Sequence, residues 1–152
     1  MVLPEDDDDR QLADGFKLEL SQIAGKQLHV LPKAGGWPNV LKSFEKDHVH
    51  EMNLYPKRFM VLLIDFDRRG EERLKKAKGV IPDHLKERVF VLGPRDEPKD
   101  LTGAGLGPLE TIGRELARNC RDETYTIWGH EELRHNAGEL DRLRQAVRPI
   151  LF

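Results

Sequence analysis

This 152-residue chain has little of what usually betrays a function directly: one cysteine, two Trp, two Tyr and six Phe, and no long apolar run. A lone Cys120 excludes an intramolecular disulfide and leaves a buried or bystander thiol as the expectation, since no neighbour in sequence activates it. No charged leader followed by an apolar stretch and no membrane-length span occurs, so a soluble cytoplasmic protein without membrane partners is expected. The scarcity of aromatics argues against sequence-specific reading of single strands by base stacking. Net charge is also lacking, at -2 from 25 Lys+Arg and 27 Asp+Glu, so the total neither advertises nor excludes a polyanionic partner.

Charge distribution is more telling than charge. Residues 1–25 carry seven acids and two bases, whereas residues 57–95 carry eleven bases and six acids. An acidic and a basic pole can therefore meet at one site. The length suits one domain, with a core over about residues 1–100 and a helical extension over about 108–152.

Short apolar runs alternate with amphipathic stretches, which predicts an α/β fold with a mostly parallel sheet flanked by helices. Four strands are expected, near Val2–Pro4, Leu28–Leu31, Phe59–Ile64 and Val89–Leu92. The first helix should carry Leu12, Phe16, Leu20 and Ile23 on one face, with Gly15 a small local penalty. A second is expected from Pro38 toward Met52 and a third from about Gly70 to Lys78. Gly93 to Gly107 reads as a surface loop, followed by helices around Leu109–Asn119 and Glu131–Val147. The last has a stripe of Leu133, Ala137, Leu140, Leu143 and Val147, expected to pack on the sheet, with a homodimer contact as the alternative. The apolar end Pro149-Ile150-Leu151-Phe152 should dock on the core or a partner.

The chemistry concentrates at strand ends. Phe59 to Ile64 is an apolar strand that stops in Asp65-Phe66-Asp67, where open parallel sheets place ligand crevices. The first strand likewise ends in Glu5, which a parallel neighbour would set beside Asp65 and Asp67. Three acids gathered there repel one another, and Mg²⁺ or Mn²⁺ would offset that repulsion. For the run Asp6-Asp7-Asp8-Asp9, a solvated helix start stabilised by the dipole is the expected role. His48 and His50 splay apart on a helix and make a poor zinc pair, and His130 and His135 are expected in packing or capping.

These pieces resemble the Toprim superfamily of topoisomerases, bacterial primases, recombination-repair proteins, overcoming-lysogenization-defect nucleases and small ribosomal RNA maturases. The resemblance rests on Val2-Leu3-Pro4-Glu5 with Asp9, on Val30-Leu31-Pro32-Lys33-Ala34-Gly35-Gly36, and on Asp65-Phe66-Asp67-Arg68-Arg69-Gly70. The segment Arg95 to Leu101 is similar to the acidic stretch that follows the next strand in several members. Asp6 departs from the pattern, standing where the family usually has Gly. The resemblance implies a Toprim-like, Rossmann-like fold with a metal held by Glu5, Asp65 and Asp67, and Glu5 as an acid or base in phosphoryl transfer. It further implies that Lys33, Arg68, Arg69, Arg73, Lys75 and Lys76 grip a nucleic acid backbone, DNA or RNA. The expected activity is Mg²⁺-dependent, nuclease-like processing. A non-catalytic interaction module within a larger complex and an enzyme acting on a small nucleotide are the alternatives.

Overall fold

A computed structural model describes all 152 residues. In chain order it contains β1 (Val2–Pro4), α1 (Asp7–Glu19), α2 (Gln22–Gly25), α3 (Trp37–Ser43), α4 (Val49–Leu54), β2 (Met60–Leu63), α5 (Gly70–Gly79), β3 (Val89–Leu92), α6 (Pro98–Gly103), α7 (Leu109–Asp122) and α8 (Ala137–Leu151). The three strands form one parallel sheet in the order β1-β2-β3, with Val2 opposite Val61 and Val61 opposite Phe90. Side chains alternate between faces. Val2, Phe90 and Leu92 pack with Leu12, Ile112 and Leu140 on one side, while Leu3, Leu62 and Val91 pack with Val40, Phe44 and Met52 on the other. Helices therefore cover both faces, as near-continuous apolar strands require.

The expected fourth strand does not form. Residues 29–34 run alongside β1 but share only the bridge between Val2 and Val30. The Val2 amide donates to the His29 carbonyl and the Leu31 amide to the Val2 carbonyl, both at 2.9 Å. Pro4 is the next β1 residue on that edge and has no N–H to continue the ladder. The sheet thus has three strands.

Other boundaries moved for local reasons. The first helix ends at Glu19 because Leu20 and Ser21 are extended, and the Ser21 hydroxyl caps a fresh turn by accepting from the Ala24 amide at 3.2 Å. Ile23 consequently sits 79% exposed rather than on the core face. The second helix runs on from Trp37 to Leu54, widened into a π-turn at Phe44–His48. Within the expected loop, Glu97 and Asp100 form a capping box around Pro98 and start α6, which buries Leu101 completely.

The C-terminal stripe belongs to the chain's own core: Leu133, Leu140, Leu143 and Val147 are buried there, whereas Ala137 is exposed. The terminal segment docks through Leu151, leaving Ile150 and Phe152 partly at the surface. Cys120 is fully buried on α7. No helix is long and apolar enough to cross a membrane.

Gly15 has a role that local propensity conceals. A Cβ at Gly15 would lie 2.2 Å from the Glu110 carbonyl oxygen, and one at Gly113 2.2 Å from that of Leu12. The two glycines let α1 and α7 cross backbone to backbone, which fixes the first turn of α1 and the acid it carries inward.

Candidate metal centre

Glu5 follows β1, Asp65 lies two residues past β2, and the two are tied directly, the Asp65 amide donating to Glu5 Oε2 at 3.0 Å. The Gly35-Gly36 turn closes over the same strand end, its amides donating to the Glu5 carbonyl at 2.8 and 3.3 Å. Left-handed φ values of 81° and 118° at these glycines make that approach cheap. The third member comes from α1. Asp6 caps this helix, accepting from the Asp8 and Asp9 amides at 2.9 and 3.0 Å. Asp6 is thus a helix cap.

With α1 started at that point, Asp9 turns inward on the face of Leu12 and Ala13. It is 0% exposed, and neither of its carboxylate oxygens has a hydrogen-bond partner; Asp65 Oδ1 is likewise unpartnered. Ligand oxygens of Glu5, Asp9 and Asp65 lie within 4.8 Å of one another, a group able to hold a metal ion.

The electrostatics follow. Asp9 is pushed well above the usual carboxylate range by burial and then by the charges of Asp65, Asp6 and Glu5. The Glu5 amide, which would offset part of that rise, is committed to the Leu63 carbonyl at 2.9 Å. Asp65 is raised from 3.8 to about 8, by burial first and by Glu5, Asp6 and Asp67 after it. Glu5 is raised by burial, against the opposing pull of the Asp65 and Trp37 amides and of Arg73. All three acids are thus shifted toward the protonated form, by burial first.

Asp67 stands apart. The Arg69 amide donates to the Phe66 carbonyl at 2.8 Å across Asp67 and Arg68, whose φ values of 44° and 57° make this a type I′ turn. The turn carries the Asp67 carboxylate away from the group, and Arg73 takes it in an ion pair while also donating to the Asp65 carbonyl. Of the three acids expected together, the fold brings in Glu5 and Asp65 and substitutes Asp9 for Asp67.

The candidate phosphate-gripping residues surround this edge, but most are engaged. Lys33 pairs with Asp7, Arg68 with Asp96 at 2.9 Å, Arg73 with Asp67, and Lys76 with Glu72 at 2.6 Å. Arg73 and Lys76 also lie over the Trp37 ring, 5.0 and 5.8 Å from its centre. Arg69 and Lys75 are exposed and make no side-chain ion pair or hydrogen bond.

A second acidic group, Asp96, Asp100 and Glu132, has donors for each member: Glu132 pairs with Arg95 at 2.5 Å, Asp96 with Arg68, and Asp100 accepts from the Glu97 amide at 3.2 Å. It is an ion-pair network that ties the β3 exit to the C-terminal region. The histidines join neither group. His135 packs edge-on against Phe66 with ring centres 5.0 Å apart, and His130 Nδ1 accepts from the Glu132 amide at 3.3 Å.

Two sequence signals pointed to Asp9: its position four residues after Glu5, and its spacing three and four residues before Leu12 and Ala13 on the apolar stripe. The surrounding run of identical acids masked them. No protein-family model, curated protein or solved structure matches this chain.

Proposed function

We propose that the chain is a small Toprim-like protein that holds a divalent cation, Mg²⁺ or Mn²⁺, between Glu5, Asp9 and Asp65 and processes phosphodiesters of a nucleic acid. The observation that carries this reading is the Asp9 carboxylate, wholly buried with both oxygens unpartnered beside two further acids. Such a carboxylate is costly unless a proton or a cation compensates it. Oxygen donors alone, with no nitrogen or sulfur, suit a hard cation. The order of parts supports the Toprim-like reading: an acid ending β1, a double-glycine turn against it, and an acid just past the adjacent β2.

A bound cation would neutralise phosphate charge and make a bound water more acidic. The remaining work falls to the chain's own residues. Glu5, only half buried with its affinity for protons raised, suits the transfer of a proton at the crevice edge. Arg69 and Lys75, exposed and unpaired, offer direct contacts for the flanking backbone. Lys33, Arg68, Arg73 and Lys76 would have to exchange a carboxylate for a phosphate.

Calorimetric titration of Mg²⁺ and Mn²⁺ tests this, followed by cleavage assays on single- and double-stranded DNA and RNA. Saturable binding should vanish in Asp9→Asn and in Asp65→Asn and persist in Asp67→Asn. Absence of binding, or loss confined to Asp67→Asn, would remove the proposed centre. The engagement of four of the six basic candidates favours a second reading, a cation-binding interaction module without catalysis. Cation binding without cleavage of any polymer would select it.

A further inference from the structure

One cavity is lined by none of the three acids. It has a volume of about 420 Å³ and opens between the sheet face of Val2, Val61, Leu63 and Leu92 and the helical residues Leu12, Phe16, Leu143 and Val147. That size falls in the range of roughly 300–1,000 Å³ typical of small-molecule sites. The segment that follows α2 contributes Gln27, Leu28 and His29 to the cavity lining. Eighteen of the 24 lining residues are hydrophobic, so water inside finds few partners and an apolar guest is favoured.

Charge around the cavity narrows the guest. The chain has 27 carboxylate side chains, yet none lines this cavity. Its charged or ionisable lining groups are His29, Lys57, Arg58 and the amino terminus of Met1, which donates to the Phe59 carbonyl at 2.7 Å, accompanied by Gln27 and Tyr55. Gln27, His29, Tyr55 and Lys57 are exposed, which puts the polar groups at the solvent end and the aliphatic ones within. Arg58 is partly spent on Glu51 and lies over the Tyr55 ring at 4.6 Å. Lys57 makes no ion pair or hydrogen bond within the chain. An apolar interior with one free ammonium at its mouth is complementary to an alkyl chain ending in a single negative charge.

We propose that this cavity binds a single-chain fatty carboxylate, with the alkyl chain between the sheet and α8 and the carboxylate at Lys57. This site is independent of the carboxylate group at Glu5, Asp9 and Asp65.

The test is calorimetric titration of the full chain with dodecanoate, dodecanol and dodecyltrimethylammonium, each below its micellar concentration. Dodecanoate should bind one to one and at least about tenfold more tightly than the cationic analogue. Lys57→Glu, at an exposed position, should weaken dodecanoate about tenfold and leave dodecanol unchanged. Val61→Trp should abolish binding of both by filling the cavity, with circular dichroism checking that the fold persists. Should that variant unfold, the Lys57→Glu comparison decides alone. Absence of dodecanoate binding, equal affinity for the trimethylammonium compound, or indifference to Lys57→Glu overturns the proposal. A concentration-dependent dimer that excludes dodecanoate would overturn it in favour of a second copy covering the face.

Discussion

At the scale of single residues, the site turns on which carboxylates share low-dielectric space. Asp9 and Asp65 are both held well above the usual carboxylate range, and both owe this to burial first. Converting either to Asn keeps the shape and removes the charge, so Asp65→Asn should stabilise the cation-free protein at pH 8 and leave it little changed at pH 4. Thermal denaturation at the two pH values checks this, and equal effects at both would refute it. Asp9→Ala should instead leave a small void beside Leu12 and Ala13. The sequence identified Glu5 and Asp65 because strand ends in parallel sheets are predictable from apolar runs. It placed Asp67 in the group and Asp9 in a solvated helix start, because the choice between them depends on the type I′ turn at Asp67-Arg68 and on where α1 begins. The first is settled by the main-chain bond from the Arg69 amide to the Phe66 carbonyl and the second by the Asp6 side-chain cap, neither of which Asp-x-Asp or a run of acids singles out.

At the scale of elements, two features were legible and two were not. The apolar runs of β2 and β3 and the stripe of α8 mark their own burial, since period and length suffice for such segments. The missing fourth strand depends on which edge of β1 Pro4 faces, a question of pairing that composition at Leu28–Leu31 does not answer. The Gly15 and Gly113 crossing is likewise visible only once α1 and α7 are in contact. Gly15→Ala drives a methyl into the Glu110 carbonyl and should cost about 1–3 kcal/mol, opposite to the gain expected from helix propensity alone. Gly79→Ala, with nothing within 4 Å of the added Cβ, serves as the comparison. Denaturant unfolding of the two variants would reject the close crossing if Gly15→Ala proved neutral. Asn136 joins elements in another way: its amide nitrogen donates to the Gly93 and Leu133 carbonyls, both at 2.8 Å, and its oxygen accepts from the Gly93 amide at 3.2 Å. Asn136→Ala orphans these buried groups at the end of β3 and should cost about 1–3 kcal/mol by the same measurement. A loss no larger than that of an exposed alanine substitution would mean the clamp contributes nothing.

At the scale of the whole molecule, the buried acids link folding, protons and cations. Asp65 titrates near its ordinary value of 3.8 when unfolded and at about 8 when folded, so between these values the folded chain binds more protons than the unfolded one. Its contribution to stability is fully present below the unfolded value and is lost as pH rises through the folded value. Asp9 and Glu5 are shifted in the same direction and add to the loss. A divalent cation reverses the balance, because it binds the ionised carboxylates and competes with their protons. Cation-free protein should therefore lose thermal stability as pH rises from about 4 to 8, and cation should restore it chiefly at the upper end. At a hundredfold excess over its Kd at pH 8, Mg²⁺ or Mn²⁺ contributes about 2.7 kcal/mol, or about 5–10 °C in Tm for a chain of this length. The same concentration at pH 5 should shift Tm by far less, and Asp65→Asn should remove most of the difference between the two pH values. Scanning calorimetry across pH with cation and with chelator measures both arms; a cation shift of equal size at pH 5 and pH 8 would place the binding elsewhere than at these three acids.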